Sequence, residues 1–154
     1  MRNRAVQIVL GVIGILVIAF LARVIIEGNR VPELGVQDGK LAAISSKPNN
    51  VSSQVDDANK KVATLAFKDS APETLTAIKA AVAAYGGGNI AAESEDYLYV
   101  IFTTSLMRYR DDVEFWLDVD NKAVHYRSSS RAGHSDMGLN RKRYNMIAEL
   151  YQDL

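Results

Sequence analysis

The feature that most constrains the fold is a long apolar run near the start of the chain. Residues 5–26 are apolar except for Gln7 and Arg23. A helix needs about 20 apolar residues to cross the hydrocarbon core of a bilayer. Residues 1–28 are therefore predicted to be a membrane anchor, in which residues 5–26 form a transmembrane helix that contacts lipid.

Two alternatives fit the same run. A buried helix of a soluble core normally has a polar face, which this run lacks. A cleavable signal peptide also has a basic start followed by an apolar run. However, no A-x-A triplet follows the run, residues 17–19 give only a weak cleavage match, and the chain has no cysteine for a lipoprotein anchor. We therefore expect the segment to be retained.

The charges that flank the run predict its orientation. Arg2, Arg4 and the amino terminus precede the run, and Arg23 and Arg30 lie at its other end. Basic residues favour the cytoplasmic side, and acidic residues count for little. We expect a single-pass protein of the bacterial inner membrane with its C-terminal domain in the periplasm.

Composition limits the chemistry of the rest of the chain. The 154 residues carry a net charge of zero and include no cysteine and two histidines. Thiol catalysis, disulfides and thiolate metal sites are thereby excluded, and few nitrogen ligands are left for zinc. No metal and no cofactor are expected. A neutral domain outside the cytoplasm also argues against nucleic acid as a partner.

The chain after the anchor divides into two parts. Residues 29–60 are polar, rich in Gly, Ser, Asn and Asp, and contain Pro32 and Pro48. This composition predicts a linker that becomes an ordered arm, and residues 29–60 are called the arm below. Residues 61–154 are predicted to form the folded domain.

The first elements of the domain are a strand and a helix. Residues 62–67 have a strand-like pattern, and Ser70 with Glu73 forms a capping box at a helix start. Triple glycine at residues 86–88 predicts the helix end, because glycine readily adopts positive φ. A phosphate-binding loop would instead open a helix and carry a following Lys-Ser/Thr pair. The apolar stripe of the helix comprises Leu75, Ile78, Val82 and Tyr85.

Two further strands and a hairpin follow. Residues 90–93 and 97–104 are predicted strands, and residues 112–118 alternate in polarity before a turn near residues 120–121. This turn sets the register of the hairpin. The expected pairs are Glu114 with Arg127 and Trp116 with His125 on the polar face, and Phe115 with Tyr126 and Leu117 with Val124 on the core face.

The last element is a helix that Ser135 or Asp136 is expected to cap. Its predicted inner stripe is Leu139, Arg143, Met146, Ile147, Leu150 and Leu154. Together the elements predict an α+β fold, with a mostly antiparallel sheet of about five strands and two helices packed on one face.

Three segments of the chain resemble one protein family. They are PNNVSS at residues 48–53, DDVEF at residues 111–115 and RSSSRAGHSDMGLNRKR at residues 127–143. They are similar to the signature segments of the bacterial and plastid domain-of-unknown-function family 1499. The resemblance implies no established activity. Members of the family usually carry cysteine at the position of Asn50, so no thiol chemistry or disulfide carries over to that position.

Small hydroxyl residues and charges gather near the start of the last helix. A helix N-terminus presents free amides and a partial positive charge, which favour an anion. The alternative is a polar network in which arginines only pair with acids. We expect Arg131 and Arg141 to be the main charged contacts of a binding surface. Its candidate residues are Asp111, Asp112, Glu114, Arg127, Ser128, Ser130, Arg131, Ser135, Asp136, Asn140 and Arg141.

Three classes of function fit these features. The preferred one is a membrane-anchored binding or accessory module for an envelope protein partner or an anionic ligand. The second is a hydrolase that uses Asp111, Asp112 or Glu114 with a loop serine. The third is a purely structural subunit of a membrane complex. Because no G-x-S-x-G, S-x-x-K or H-E-x-x-H motif is present, no catalytic residue is assigned.

The topology of the anchor is directly testable. In spheroplasts, external protease should digest a C-terminal tag, because the domain is expected outside the cytoplasm. A protected tag would reverse the orientation. N-terminal sequencing of the membrane-bound protein should return residue 1 or 2, whereas a start near residue 20 would show cleavage.

Overall fold

The computed structural model describes residues 3–154. Its helices are α1 (Arg4–Asn29), α2 (Ala71–Tyr85) and α3 (Leu139–Gln152). Its strands are β1 (Val36–Gln37), β2 (Lys40–Leu41), β3 (Asn50–Ser52), β4 (Leu65–Ala66), β5 (Gly88–Glu93), β6 (Tyr97–Thr103), β7 (Arg110–Asp118) and β8 (Ala123–Ser130).

Helix α1 holds the apolar run and is almost entirely exposed. It is long and apolar enough to cross a membrane. Its only buried residues are Val24 and Gly28, close to its C-terminal end, where the helix meets the rest of the chain. A helix of a soluble core would be buried along a full face. This exposure argues against the core-helix alternative, and α1 has the length and composition of a membrane span or a signal sequence.

Six strands form the main sheet, which is mostly antiparallel as predicted. Its order is β3-β8-β7-β6-β5, and β4 also pairs with β8. The predicted register of the β7–β8 hairpin is confirmed, with Glu114 opposite Arg127 and Trp116 opposite His125. The Trp116 and His125 rings stack with centroids 5.0 Å apart. The period-two alternation of apolar residues fixes this register, because a slip of one residue would turn the apolar side chains to the wrong face.

The two remaining helices cover one face of the sheet, which is called the helix face. Side chains of α2 and α3 pack on alternate residues of the strands to form a single core. The rings of Phe115 and Tyr126 pack edge to face in this core, with their centroids 5.1 Å apart. The opposite face of the sheet is called the outer face. The α+β class and the placement of both helices on one face agree with the prediction.

Helix α2 begins as predicted, but its surroundings differ in two places. The Ser70 side chain accepts a hydrogen bond from the Glu73 amide. The strand before it covers only Leu65–Ala66, because just these residues pair with β8. The predicted strand at residues 62–67 was too long. Gly86 and Gly87 have positive φ and end the helix, whereas Gly88 already belongs to β5.

Helix α3 begins later than predicted. Gly138, with a φ of 79°, precedes its first residue and provides no side-chain cap. Asp136, two residues before Gly138, caps the helix instead, since its carboxylate accepts hydrogen bonds from the amides of Gly138 and Asn140. The intervening Met137 also has positive φ. This turn between cap and helix explains why the predicted start was wrong.

The inner stripe of α3 is also different from the prediction. Arg143 and Ile147 are buried as expected, whereas Met146 and Leu154 are exposed. The buried positions follow i, i+4, i+7 and i+11 spacing, which suits a helix that packs along one line. Polar and aromatic residues occupy most of that line, so the spacing of aliphatic residues does not predict it. Its members are Asn140, Tyr144, Ile147 and Tyr151, with Arg143 beside them.

The arm is ordered and lies against the sheet. Strand β3 within it pairs with residues 127–129 of β8. Strands β1 and β2 form a separate small hairpin. On the two sides of this hairpin the arm contacts the outer face, where the Gly35 amide donates to Glu114 of β7 and the Ala42 carbonyl accepts from Arg127 of β8. The arm therefore covers the face that the helices leave open.

Gly88 offers a test of the packing between β5 and β6. A Cβ atom at this position would come within 2.9 Å of both the Phe102 ring and a methyl group of Val100. Both side chains are buried, so neither can move away easily. Gly88→Ala should lower the free energy of unfolding by about 1–3 kcal/mol. Chemical denaturation followed by fluorescence of Trp116, the only tryptophan, measures this change.

The matched control is Asn89→Ala, at an exposed position of the same edge strand. It should change the stability little. Equal effects of both substitutions would show that β5 as a whole, and not the close approach at Gly88, sets the stability.

Candidate functional site

The candidate residues do not form one cluster, because the sheet separates them. Side chains alternate along a strand, so the neighbours Asp111 and Asp112 point to opposite faces. Asp111 lies on the helix face, opposite Ser130 in the register, and Asp112 lies on the outer face, opposite Ser129. The structure therefore holds two polar clusters, one on each side of the sheet.

The helix-face cluster joins β7 and β8 to the start of α3. An Arg143 Nη donates to Asp111 Oδ2 over 2.6 Å, and its guanidinium lies over the Phe102 ring. The Ser128 hydroxyl donates to Asn140 Oδ1, and the Asn140 amide donates to Ser130 Oγ. Asp111, Ser128, Asn140 and Arg143 are all buried. These contacts place α3 on the sheet, and a cavity of about 200 Å³ borders the cluster at Asp111, Ser130 and Asp136.

On the outer face, Glu114 and Arg127 form a buried ion pair. An Arg127 Nη donates to a Glu114 carboxylate oxygen over 2.9 Å, and Glu114 is fully buried. The other carboxylate oxygen accepts from the Tyr97 hydroxyl and from the Gly35 amide. A buried carboxylate is stable only when its acceptor sites are filled, and here three donors from three segments fill them.

Asp112 and Arg131 form the second pair of the outer face. The Nε and one Nη of Arg131 donate to the carboxylate at 2.8–3.0 Å, the two-pronged geometry that is strongest for such pairs. The Tyr99 hydroxyl also donates to Asp112. Burial and this hydrogen bond raise the pKa of Tyr99 to about 12. Tyr99 is therefore a neutral donor throughout the physiological pH range.

The last turn of α1 and the arm complete this outer network. The Gly28 carbonyl accepts from Arg131 and from Arg110, and the Asn29 side chain also accepts from Arg110. The Ala42 carbonyl accepts from Arg127 over 2.8 Å. The C-terminal end of a helix exposes carbonyl groups that favour cations, so arginines are suited to this place.

A cavity of about 410 Å³ lies where α1, the arm and the sheet meet, and it is called the junction pocket. Part of its wall is uncharged, from residues 31–32, Ala43 and Ser129. Its charged lining consists of Arg30, Lys47, Arg127 and Arg131 together with Glu27 and Asp112. Four basic and two acidic side chains leave the pocket with two net positive charges.

Two of the predicted site residues, Ser135 and Arg141, lie outside both clusters and outside this pocket, whereas Asp136 joins the helix-face cluster because its carboxylate accepts from the Asn140 side-chain amide. Arg141 donates to the carbonyl groups of Asn59 and Lys61, which fastens α3 to the end of the arm. Ser135 and Asp136 accept backbone amide hydrogens in the turn before α3. The predicted partnership of Arg131 with Arg141 is therefore not present as one surface.

The pocket contains residues that the sequence analysis left out of the site. Ser129 lines it together with Ser130, and Ser130 also takes part in the helix-face cluster, as Ser128 does. Residues 128–130 belong to β8 and not to a loop, so strand alternation from Arg127 would have selected Ser129. Arg30 and Lys47 carried no such signal, because only the folded arm brings them to the sheet.

The hydrolase alternative rests on carboxylates that are already paired. Asp111, Asp112 and Glu114 each bind one arginine. Such pairing holds the charges in place, so none of these three carboxylates is a free base.

A separate serine lies near a histidine on the outer face. Ser53 Oγ is 3.2 Å from His125 Nδ1, and His125 Nε2 is 3.7 Å from Asp118, beyond hydrogen-bonding distance. Asn121 binds the Asp118 carboxylate within the hairpin turn, and the Tyr126 amide donates to Ser53 Oγ. Burial lowers the pKa of His125, which suits its stacking on Trp116. We infer that these contacts hold the arm on the β7–β8 hairpin.

Comparison with known proteins gives one match. A family model described as "Protein of unknown function (DUF1499)" matches residues 40–150, which contain all three signature segments. This match confirms the resemblance found in the sequence. No curated protein and no solved structure matches the chain. Among residues 3–154, no group of His, Cys, Asp or Glu side chains is arranged to hold a metal ion.

The buried pair of Glu114 and Arg127 gives a test of the outer network. Removing either side chain leaves the other charge buried without its partner, so Glu114→Ala or Arg127→Ala alone should cost about 3–5 kcal/mol of stability. The double variant should cost clearly less than the sum of the two. Denaturation of the full-length chain in detergent, followed by Trp116 fluorescence, measures all three. Strictly additive losses would contradict a direct pair.

Proposed function

The chain belongs to the DUF1499 family, and we propose that it is a membrane-anchored binding module of the bacterial envelope. In this proposal α1 stays in the inner membrane and the domain lies in the periplasm. The junction pocket binds an anionic group, carried by a small ligand or by a protein partner. The protein acts by binding and not by turnover.

The observation that carries the proposal is the charge of the junction pocket. Its lining has two net positive charges, although the chain as a whole is neutral. Arg127 and Arg131 form the floor of the pocket, held in place by their buried carboxylate partners. Preorganised basic groups attract an anion without first having to reorganise, which favours binding.

Two basic donors at the pocket have no carboxylate partner within the described residues. In the described part of the chain, Arg30 and Lys47 form no ion pair, and the Lys47 ammonium has only a long hydrogen bond to the Gly133 carbonyl. Both residues are exposed. The Ser129 hydroxyl likewise makes no hydrogen bond among residues 3–154. These three side chains supply the direct contacts to the anion.

The location of the pocket supports a role at the membrane surface. Glu27 and Arg30 belong to the end of α1 and to the residue that follows it, so the pocket lies where the apolar run leaves the bilayer. The flanking arginines favour the orientation in which this end is outside the cytoplasm. A ligand or partner that meets the pocket is therefore one of the envelope.

The proposal predicts specific binding of an anion by the full-length protein in a neutral detergent. Inorganic pyrophosphate should bind with saturation in isothermal titration calorimetry. Replacing Arg30 and Lys47 together by alanine should weaken binding by about tenfold or more, because hydrogen bonds to charged groups contribute about 1.5–3 kcal/mol each. The fold should be unchanged, since both side chains are exposed.

A double variant of Lys40 and Lys142 to alanine is the matched control. It removes the same charge from exposed positions outside the junction pocket. Its affinity should equal that of the unaltered protein. If both double variants lose affinity equally, or if no saturable binding occurs, the pocket is not an anion site.

A further inference from the structure

We infer that the anionic group in the junction pocket is the headgroup of an anionic phospholipid, taken directly from the surrounding bilayer. This inference rests on the proposed function, because it names the class of ligand for the same pocket. It adds that the ligand is amphiphilic and that its acyl part leaves the pocket along α1.

The first observation is a second cavity beside the pocket, called the helix groove. It has a volume of about 310 Å³ and lies between α1 and the two loops that contain Tyr109 and His134. Phe20 and Val24 of α1 give it an apolar wall, and the ion pair of Arg23 with Glu27 lies at its polar end. It shares Glu27 and Lys47 with the junction pocket, so the two cavities adjoin along the same side of the helix.

The second observation is the depth of the two cavities along α1. A helix rises about 1.5 Å per residue, so Phe20 and Arg30 are separated by roughly 15 Å along its axis. A hydrocarbon core of about 30 Å takes up some 20 residues, which places its boundary near Val24 when the span begins at Ala5. The helix groove then begins within the hydrocarbon, and the junction pocket lies at the level of the headgroups.

The third observation concerns the loops that form the groove. Tyr109 follows Leu106 in one loop, and His134 precedes Met137 in the other. Leu106 is 88% exposed and Met137 is 98% exposed. Exposed apolar side chains next to a membrane-spanning helix are suited to the bilayer interface. The side of the domain that carries the groove is therefore the side that faces the membrane.

Together these features match the two ends of a lipid. The polar pocket offers basic groups and a free hydroxyl to a phosphate, while the groove offers apolar walls to the start of an acyl chain. A soluble anion would use the pocket but would gain nothing from the groove. Burying apolar surface beside a charge contact gives an amphiphile the advantage over a free phosphate.

Native mass spectrometry of the full-length protein tests this inference. The protein is incubated in neutral detergent with phosphatidylglycerol or, in parallel, with phosphatidylcholine of the same acyl composition. We expect one phosphatidylglycerol to be retained and phosphatidylcholine to be lost. The Arg30→Ala and Lys47→Ala double variant should retain about tenfold less, whereas the Lys40→Ala and Lys142→Ala control should match the unaltered protein.

Competition with inorganic pyrophosphate separates this inference from the proposed function. Pyrophosphate should displace the retained lipid, which would show that both occupy the junction pocket. If pyrophosphate binds as proposed but phosphatidylglycerol is not retained, or is retained no better than phosphatidylcholine, the lipid inference is wrong and the anion site stands. If neither binds, both are wrong.

Discussion

The buried charge pair between Glu114 and Arg127 is the constraint on which the outer half of the structure depends. Ionised groups removed from water are stable only when nearly all their polar atoms are satisfied. The sheet alone supplies the arginine and Tyr97, and the arm supplies the Gly35 amide and the Ala42 carbonyl. The arm is therefore part of the fold. Its contacts with this charge pair fix its position on the sheet, and that position forms the junction pocket.

The spacing of apolar residues within single segments predicted the elements whose structure depends only on neighbouring residues. The β7–β8 register followed from alternation, since moving Phe115 by one position would expose it. The start of α3 did not follow, because Asp136 caps the helix across a turn with two positive-φ residues. The same alternation predicts that Asp111 and Asp112 lie on opposite faces of the sheet. They were nevertheless predicted to share one surface, because they are adjacent in the chain. The contribution of Arg30 depends on the path of the arm, which no periodicity encodes.

Asn50 occupies the position where the resemblance to the family implies a cysteine. Its side-chain amide lies within hydrogen-bonding distance of the Ser45 and Lys47 carbonyl groups, and the residue is buried. It thereby holds the end of the arm that forms one wall of the junction pocket. This position is thus a point of attachment that is based on hydrogen bonds.

The contacts of the arm also set the order in which the protein can be completed during synthesis. Ala42 and Arg127, which are hydrogen-bonded, are 85 residues apart, and Gly35 and Glu114 are 79 apart. Contacts between such distant residues form late and slow the folding of a domain. The arm leaves the ribosome well before its partners on β7 and β8 exist. It therefore stays unpaired, with its backbone hydrated, until the closing hairpin has been made.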